Sequence, residues 1–401
     1  MTYPSTGAER ATPADPVRTL LAAAHDIAPV LSRAAEAAER DSRLTPEAER
    51  ALREAGQFAL GVPQRFGGPE LMPADSLEVT AELALACPSS AWVVMVSYVA
   101  QQIAASFGER ACRDLWGDGP DVALCGVFSD AGAVSRPVED GVLVTGTWSW
   151  ASGCHHADWA LLGVPLPEEP GNAPGRGLAL VPASGLAVKR TWDMAGMRGT
   201  GSDTLVADEV FVPHHRLRRF ADVVRGNGLP EEPLYRIPPG SMTLVSMGPL
   251  LGTARAVLRL TLEAVESGKP MAMSLHARLA DSPSVQAAIA EAATLIDSAH
   301  LHLRRSAEFA GAAAVSGTEP SPIERARVRM DAGHASTCLL QAVQLLLTVG
   351  GAGSFSATKT VQRHWRDLET GSRHPTLNPG LAKEMYGRAL VGDERPVSPM
   401  V

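Results

Sequence analysis

Apolar residues at Val17, Leu20, Leu21, Ala24, Ile27, Ala28 and Leu31 recur at the spacing of one helical face. A second helix opens at Thr45-Pro46-Glu47, which supplies a capping hydroxyl, a proline at the first helical position and a carboxylate near the positive end of the dipole. It stops at Gly56. Residues 63–68 read as a loop, and the pattern predicts further helices over 74–86 and 89–107. The first 120 residues therefore read as an all-helical unit behind a disordered tail of about 15.

Near Pro120 the period shortens. Residues 122–128, 142–150, 160–164, 178–181 and 206–212 are short apolar or alternating runs separated by Gly, Pro and Asp, the pattern of a small β-domain. Residues 165–177, rich in Pro, Gly and Glu, predict a surface loop. From about Ser241 the helical period returns over 242–265, 285–310, 322–349 and 379–391, lengths that suit an antiparallel four-helix bundle. The expected class is α+β, mainly α. Its parts are an N-terminal helical domain (16–120), a central small β-barrel or sandwich domain (121–225) and a C-terminal four-helix bundle domain (226–401).

Composition narrows the function. A net charge of −8 argues against nucleic acid as the main partner, and 45% hydrophobic residues fit a globular chain with a large core. The five cysteines are scattered, without a Cys-x-x-Cys pair, and read as reduced, buried thiols. The most apolar run, 91–107, is broken by Gln101-Gln102 and reads as too short to span a bilayer. The N-terminus lacks a signal-peptide layout. A cytoplasmic protein with no membrane partner is expected.

Trp148-Ser149-Trp150-Ala151-Ser152-Gly153 is the sharpest local element. On a strand, Trp148, Trp150 and Ser152 would share a face, a flat aromatic platform beside one hydroxyl on which a planar heteroaromatic could stack. The same tryptophans could equally pack the sheet against a helical layer. Cys154-His155-His156 and His214-His215 do not read as metal sites, because adjacent strand residues point to opposite faces, and no metal is expected. The Gly-rich stretch 192–202 lacks the lysine of a phosphate-binding P-loop, and no Gly-x-Gly-x-x-Gly or Gly-x-Ser-x-Gly occurs. Near the C-terminus an apolar helix over 335–349 runs into Gly350-Gly351-Ala352-Gly353, then a basic, aromatic segment (362–367) and His374. Bare N–H groups at such a junction suit a phosphate, although glycines there also serve as a helix stop.

Taken together, Pro88-Ser89-Ser90-Ala91-Trp92, residues 148–159, residues 196–202 with Phe211-Val212-Pro213, and residues 350–374 with Tyr386-Gly387 resemble one family over about residues 20–395. It is the oxygenase branch of the acyl-CoA dehydrogenase fold: two-component, flavin-dependent monooxygenases related to the 4-hydroxyphenylacetate and steroid-phenol hydroxylases. The resemblance implies reduced flavin (FADH2 or FMNH2) from a separate NAD(P)H:flavin reductase, O2 activated as a C4a-hydroperoxyflavin, a small aromatic substrate and a homotetramer. Residue by residue, it sets Trp150 and Ser152 against the isoalloxazine, with Ser152 at flavin N5 and His374 nearby. Gln344, Gly350, Gly351 and Gly353, with Arg278 as a looser match, would touch the phosphate or ADP half, often from a neighbouring subunit. Trp92, Met95, Tyr98 and Ala100 would line the substrate pocket.

Two departures shape the expected chemistry. Acyl-CoA dehydrogenases carry a catalytic glutamate close to the position of His374, whereas here Pro375 and Thr376 follow and no carboxylate is present. Phenol-hydroxylating members carry a histidine at the place of Ala100. An indole or polycyclic aromatic of natural-product type is thus the expected substrate. The alternatives are an N-oxygenase of an amine or amino sugar, an acyl-CoA dehydrogenase or oxidase, and a flavin-free helical scaffold.

Overall fold

The computed structural model describes residues 15–166, 175–393, 395, 397 and 398. The expected tail, up to residue 14, and residues 167–174 of the expected surface loop lie outside the described residues.

The chain opens with α1 (Pro16–Asp41), whose first turn is capped by the Asp15 carboxylate accepting from the Val17 N–H. The Thr45 hydroxyl caps α2 (Pro46–Glu54) by accepting from the Ala48 N–H at 3.2 Å, as the sequence foretold. Next come α3 (Pro73–Ala86), α4 (Pro88–Ala104) and α5 (Glu109–Trp116). Extended by its last 3-10 turn, Pro88–Phe107 is long and apolar enough to cross a membrane, contrary to the expectation from 91–107 alone. Its burial, 89% of the apolar window, is what marks it as an interior helix; Pro322–Phe355 passes the same test with 44% buried.

The β-segment holds β1 (Leu124–Val127), β2 (Ala133–Val138), β3 (Gly141–Trp148), β4 (Trp159–Leu166), β5 (Gly175–Pro182), β6 (Ala187–Lys189), β7 (Thr204–Pro213) and β8 (Leu217–Arg219). They form two four-stranded sheets, β1-β4-β5-β8 and β2-β3-β7-β6, antiparallel except where β1 runs parallel to β4. Val142, Val144 and Trp148 of one sheet meet Ala160, Leu162, Val164, Ala179 and Val181 of the other in a common core. The second face of the first sheet carries Leu124, Leu161, Leu178 and Leu180 into the core of the N-terminal helices. Burial on both faces explains why β4 and β5 read as continuous apolar runs. Periodicity missed β2, β6 and β8, edge strands whose exposed and intermediate residues give no apolar signal.

After α6 (Phe220–Arg225) come α7 (Met247–Glu266), α8 (Pro283–Ser316), α9 (Pro322–Gly350), α10 (Thr360–Gly371) and α11 (Pro379–Leu390). A capping box of Ser321 and Glu324 starts α9. Leu77, Ala81, Trp92 and Met95 of α3 and α4 share one core with Leu250, Leu303, Leu339 and Leu346 of the bundle. Close approach makes this possible: a Cβ at Gly252 would lie 2.0 Å from the Ala81 carbonyl oxygen. The basic, aromatic segment 362–367 turns out to be helical, with His364, Asp367 and Leu368 turned inward.

Candidate active site

The site forms where the end of β3, helix α4, the loop before β7 and the end of α10 converge. β3 stops at Trp148, which is 2% exposed and donates its indole N–H to the Gly163 carbonyl at 2.8 Å. The expected shared face of Trp148, Trp150 and Ser152 therefore does not exist. Trp148 belongs to the core of the sandwich, and the chain leaves the sheet directly after it. Trp150 sits in the left-handed region at φ 69°, which swings its indole outward to 63% exposure. For a bulky residue that conformation costs on the order of 1–3 kcal/mol, and it persists because the segment is tied down on both sides. The Ala151 N–H donates to the Asp203 carbonyl (3.1 Å) and the Gly153 N–H to the Thr200 carbonyl (2.9 Å). Trp192 meets Trp150 edge-on with centroids 5.2 Å apart.

Ser152, partly buried, places its Oγ 2.7 Å from that of Ser202, which lies 2.7 Å from the Thr200 hydroxyl. Thr200 in turn donates to the Met197 carbonyl at 2.8 Å. The whole loop is anchored by Asp203, which accepts from the N–H groups of Thr191 and Trp192 and pairs with His155 at 2.7 Å. Burial works to raise the Asp203 pKa, but those three bonds outweigh it and hold the carboxyl below its usual range. His156 is likewise paired, with Glu49 at 2.8 Å. Among the described residues no group of three His, Cys, Asp or Glu could hold a metal ion.

From Met197 the contacts run to α10 and α4. The Met197 N–H donates to buried Asp367, whose pKa desolvation pushes up to about 7. A Cβ on Gly371, at the end of α10, would lie 2.9 Å from Met197 Cε and 3.4 Å from Trp92 Cζ3. Trp92, 6% exposed, meets the His374 imidazole edge-on at 5.7 Å between centroids. His374 keeps solvent exposure beside the Trp92 ring. Desolvation, with a smaller push from the Arg329 charge, lowers its pKa to about 4. Its Nδ1 accepts from the Thr376 N–H and lies 2.7 Å from the Thr376 hydroxyl, which assigns the proton to Nε2.

The other expected residues are placed differently. Met95 shares the bundle-facing core with Trp92. Tyr98 and Ala100 instead belong to the core of the N-terminal helices, where the Tyr98 hydroxyl donates to the Leu71 carbonyl at 2.8 Å. With about 100° between successive helical residues, α4 cannot turn all four to one wall. Arg278 is exposed and paired with Asp281 at 2.6 Å, and exposed Gln344 donates to Glu369. Gly350, Gly351 and Gly353 lie exposed where α9 ends, Gly351 at φ 60°. The contacts that join Ser152 to His374 pass through none of these five. Sequence reasoning missed Thr200, Ser202, Met197 and Asp367; the signal for the first three was the Gly-rich spacing of 196–202, and for Asp367 its place in the segment 362–367.

An exposed indole, a neighbouring hydroxyl and an imidazole N–H, linked by the contacts above, suit the flat, donor-and-acceptor edge of a flavin. With the helix–sheet–helix order they define a flavoprotein of the acyl-CoA dehydrogenase fold. The acyl-CoA dehydrogenase N-terminal domain matches residues 17–118 and the C-terminal domain residues 244–379. The chain is 34% identical over 383 residues (94% of it, 96% of the relative) to the flavin-dependent monooxygenase oxygenase subunit HsaA of Mycobacterium tuberculosis. It is 33% identical (88% and 91% covered) to the oxygenase component of an FADH(2)-dependent resorcinol hydroxylase of Rhizobium sp.. The solved structure of XiaF from Streptomyces sp. in complex with FADH2 and glycerol superposes with a TM-score of 0.90 at 31% identity, covering 96% of this chain and 98% of that one. The chain belongs to the oxygenase components of flavin-dependent monooxygenases, and its cofactor is reduced flavin.

Proposed function

We propose that this protein hydroxylates an electron-rich aromatic ring, an indole or polycyclic aromatic, with flavin reduced by a separate reductase. The observation that carries the reading is the junction itself: Ser152 and His374, 222 residues apart in sequence, are joined through Met197, Gly371 and Trp92. When bound, reduced flavin activates dioxygen and supplies the oxygen atom. The chain's residues do the rest. Trp150 would offer the stacking face, and the Ser152 hydroxyl would hydrogen-bond the ring nitrogen N5. His374, neutral at pH 7, presents its Nε2–H as a donor that orients rather than protonates. Trp92 and Met95, both nearly sealed from solvent, keep water from the reacting edge.

The substrate class follows from what touches Trp92. Its titratable ring partner is His374, and an imidazole with a pKa near 4 is a weak base for a phenol proton. Rings already rich in electrons need no such base. Ala100 lies in the N-terminal core and has no part in this choice of substrate. The α-proton abstraction of a thioester dehydrogenase lacks its carboxylate here: His374 is followed by Pro375 and Thr376. Exposed Arg278, Gln344 and the glycines at 350–353 would serve the phosphate end of a flavin in a neighbouring subunit of a homotetramer.

Rapid mixing of oxygen with the protein and reduced flavin, across a panel of indoles, polycyclic aromatics and simple phenols, tests this. Hydroxylated indole or polycyclic product is expected. Hydrogen peroxide alone with every aromatic offered would overturn it.

A further inference from the structure

The hydroxyl chain from Ser152 has a fixed direction, and the direction has a use. Three contacts link four oxygens: Ser152 to Ser202 (2.7 Å), Ser202 to Thr200 (2.7 Å) and Thr200 to the Met197 carbonyl (2.8 Å). Each contact needs one hydrogen, and the three hydroxyls have three. The terminal carbonyl has none to give, so Thr200 must donate to Met197. Thr200 can then only accept from Ser202, and Ser202 can only accept from Ser152. Ser152 has thus spent its proton inward and has only lone pairs left to offer a ligand. The Met197 carbonyl is itself held in place, since it also accepts from the Trp192 indole N–H at 2.9 Å and the Thr200 N–H at 3.2 Å.

We infer that Ser202 and Thr200 are positioning residues that make Ser152 a hydrogen-bond acceptor toward flavin N5, so that the site selects reduced over oxidised flavin. The inference rests on the proposed placement of Ser152 against N5. Reduced flavin carries a hydrogen on N5 and donates; oxidised flavin has a bare lone pair there and would face the lone pairs of Ser152. An enzyme that must collect reduced flavin from solution and let the oxidised form go gains from that asymmetry. Neither Ser202 nor Thr200 need touch the cofactor; both act through Ser152.

The test is binding rather than turnover. Dissociation constants of oxidised and dithionite-reduced FMN and FAD are measured anaerobically for the full chain, and their ratio is compared among variants. Ser202→Ala leaves the Ser152 proton without its inward acceptor, and Thr200→Val lets Ser202 turn its own proton to Ser152. Either change frees Ser152 to donate, and the preference for reduced flavin should narrow about 3- to 10-fold, the weight of one hydrogen bond. Thr200→Ser retains the hydroxyl and should retain the wild-type ratio. A ratio unchanged in Ser202→Ala and Thr200→Val while Ser152→Ala alters it would overturn the relay and leave the placement of Ser152 standing. Both affinities falling in equal proportion would also count against the relay, as a merely structural effect. A ratio indifferent to Ser152→Ala would overturn the placement of Ser152 itself.

Discussion

The edge of the Trp92 indole meets the His374 imidazole at 5.7 Å between centroids and 63° between planes, which joins the first helical segment of the chain to its last. The contact helps exclude water from the imidazole, and desolvation is the main reason its pKa falls to about 4. Trp92→Ala should admit water and return the His374 pKa toward 6.5. The variant's imidazole would then gain charge between pH 7 and 5, where the wild-type ring stays neutral. Titration of the imidazole C2 proton by NMR reads this directly. An unchanged pKa in the variant would show that Trp92 is not what shields the ring.

Ser152→Ala removes a hydroxyl two residues from Trp150 without touching the aromatic face of that indole. Flavin should still bind, but the oxygen it activates should leave as hydrogen peroxide. Loss of one hydrogen bond to a reactive centre costs about 1–3 kcal/mol, roughly tenfold to a hundredfold in the ratio of product to peroxide. Peroxide and product are quantified together in single-turnover mixing. A product-to-peroxide ratio equal to wild type would remove Ser152 from the chemistry.

The helices were legible because their apolar stripes face one core: the spacing from Val17 to Leu31 and the cap at Thr45 both appear as expected. The strands buried on both faces were legible for the same reason. What periodicity could not show is where a strand stops. Trp148 and Trp150 differ by two residues and look like one face, yet a single left-handed residue sends one indole into the core and the other to solvent. The side on which Tyr98 and Ala100 lie is not legible, because α4 is buried almost all round and its sequence has no polar face to mark which side meets the bundle. The hydroxyl chain through Ser202 and Thr200 depends on contacts across 50 residues, which no local pattern carries.

Asp367 makes stability depend on pH in an unusual direction. Desolvation raises its folded pKa to about 7, above the 3.8 of a free aspartate, so the folded protein binds a proton that the unfolded chain has released. That stability is fully present below the unfolded pKa and is lost as pH rises through 7. Between pH 5 and pH 7 the loss from this group is about 2 kcal/mol, and above pH 7.5 almost none remains to be lost. Asp367→Asn keeps an oxygen to accept from the Met197 N–H but cannot ionise. The variant should therefore exceed wild type in stability at pH 8.5 and lose that advantage toward pH 5. Urea unfolding at the two pH values measures it; parallel wild-type and variant curves would place the Asp367 titration elsewhere.

Arg278 offers the cleanest separation of binding from folding. Its guanidinium is exposed and, among the described residues, its ion-pair partner is Asp281, three residues on, so it bridges no separate elements of its own chain. If it meets the phosphates of a flavin in a neighbouring subunit, a charge-assisted bond is at stake. Arg278→Ala should then weaken flavin binding about tenfold to a hundredfold while the melting temperature of the flavin-free protein stays within a degree or so of wild type. Comparing the two flavins locates the contact. A loss shared by FMN and FAD places Arg278 at the phosphate nearest the ribityl chain, and a loss confined to FAD places it at the ADP half. Unchanged affinity for both would assign Arg278 to the surface, with Asp281 as its whole role.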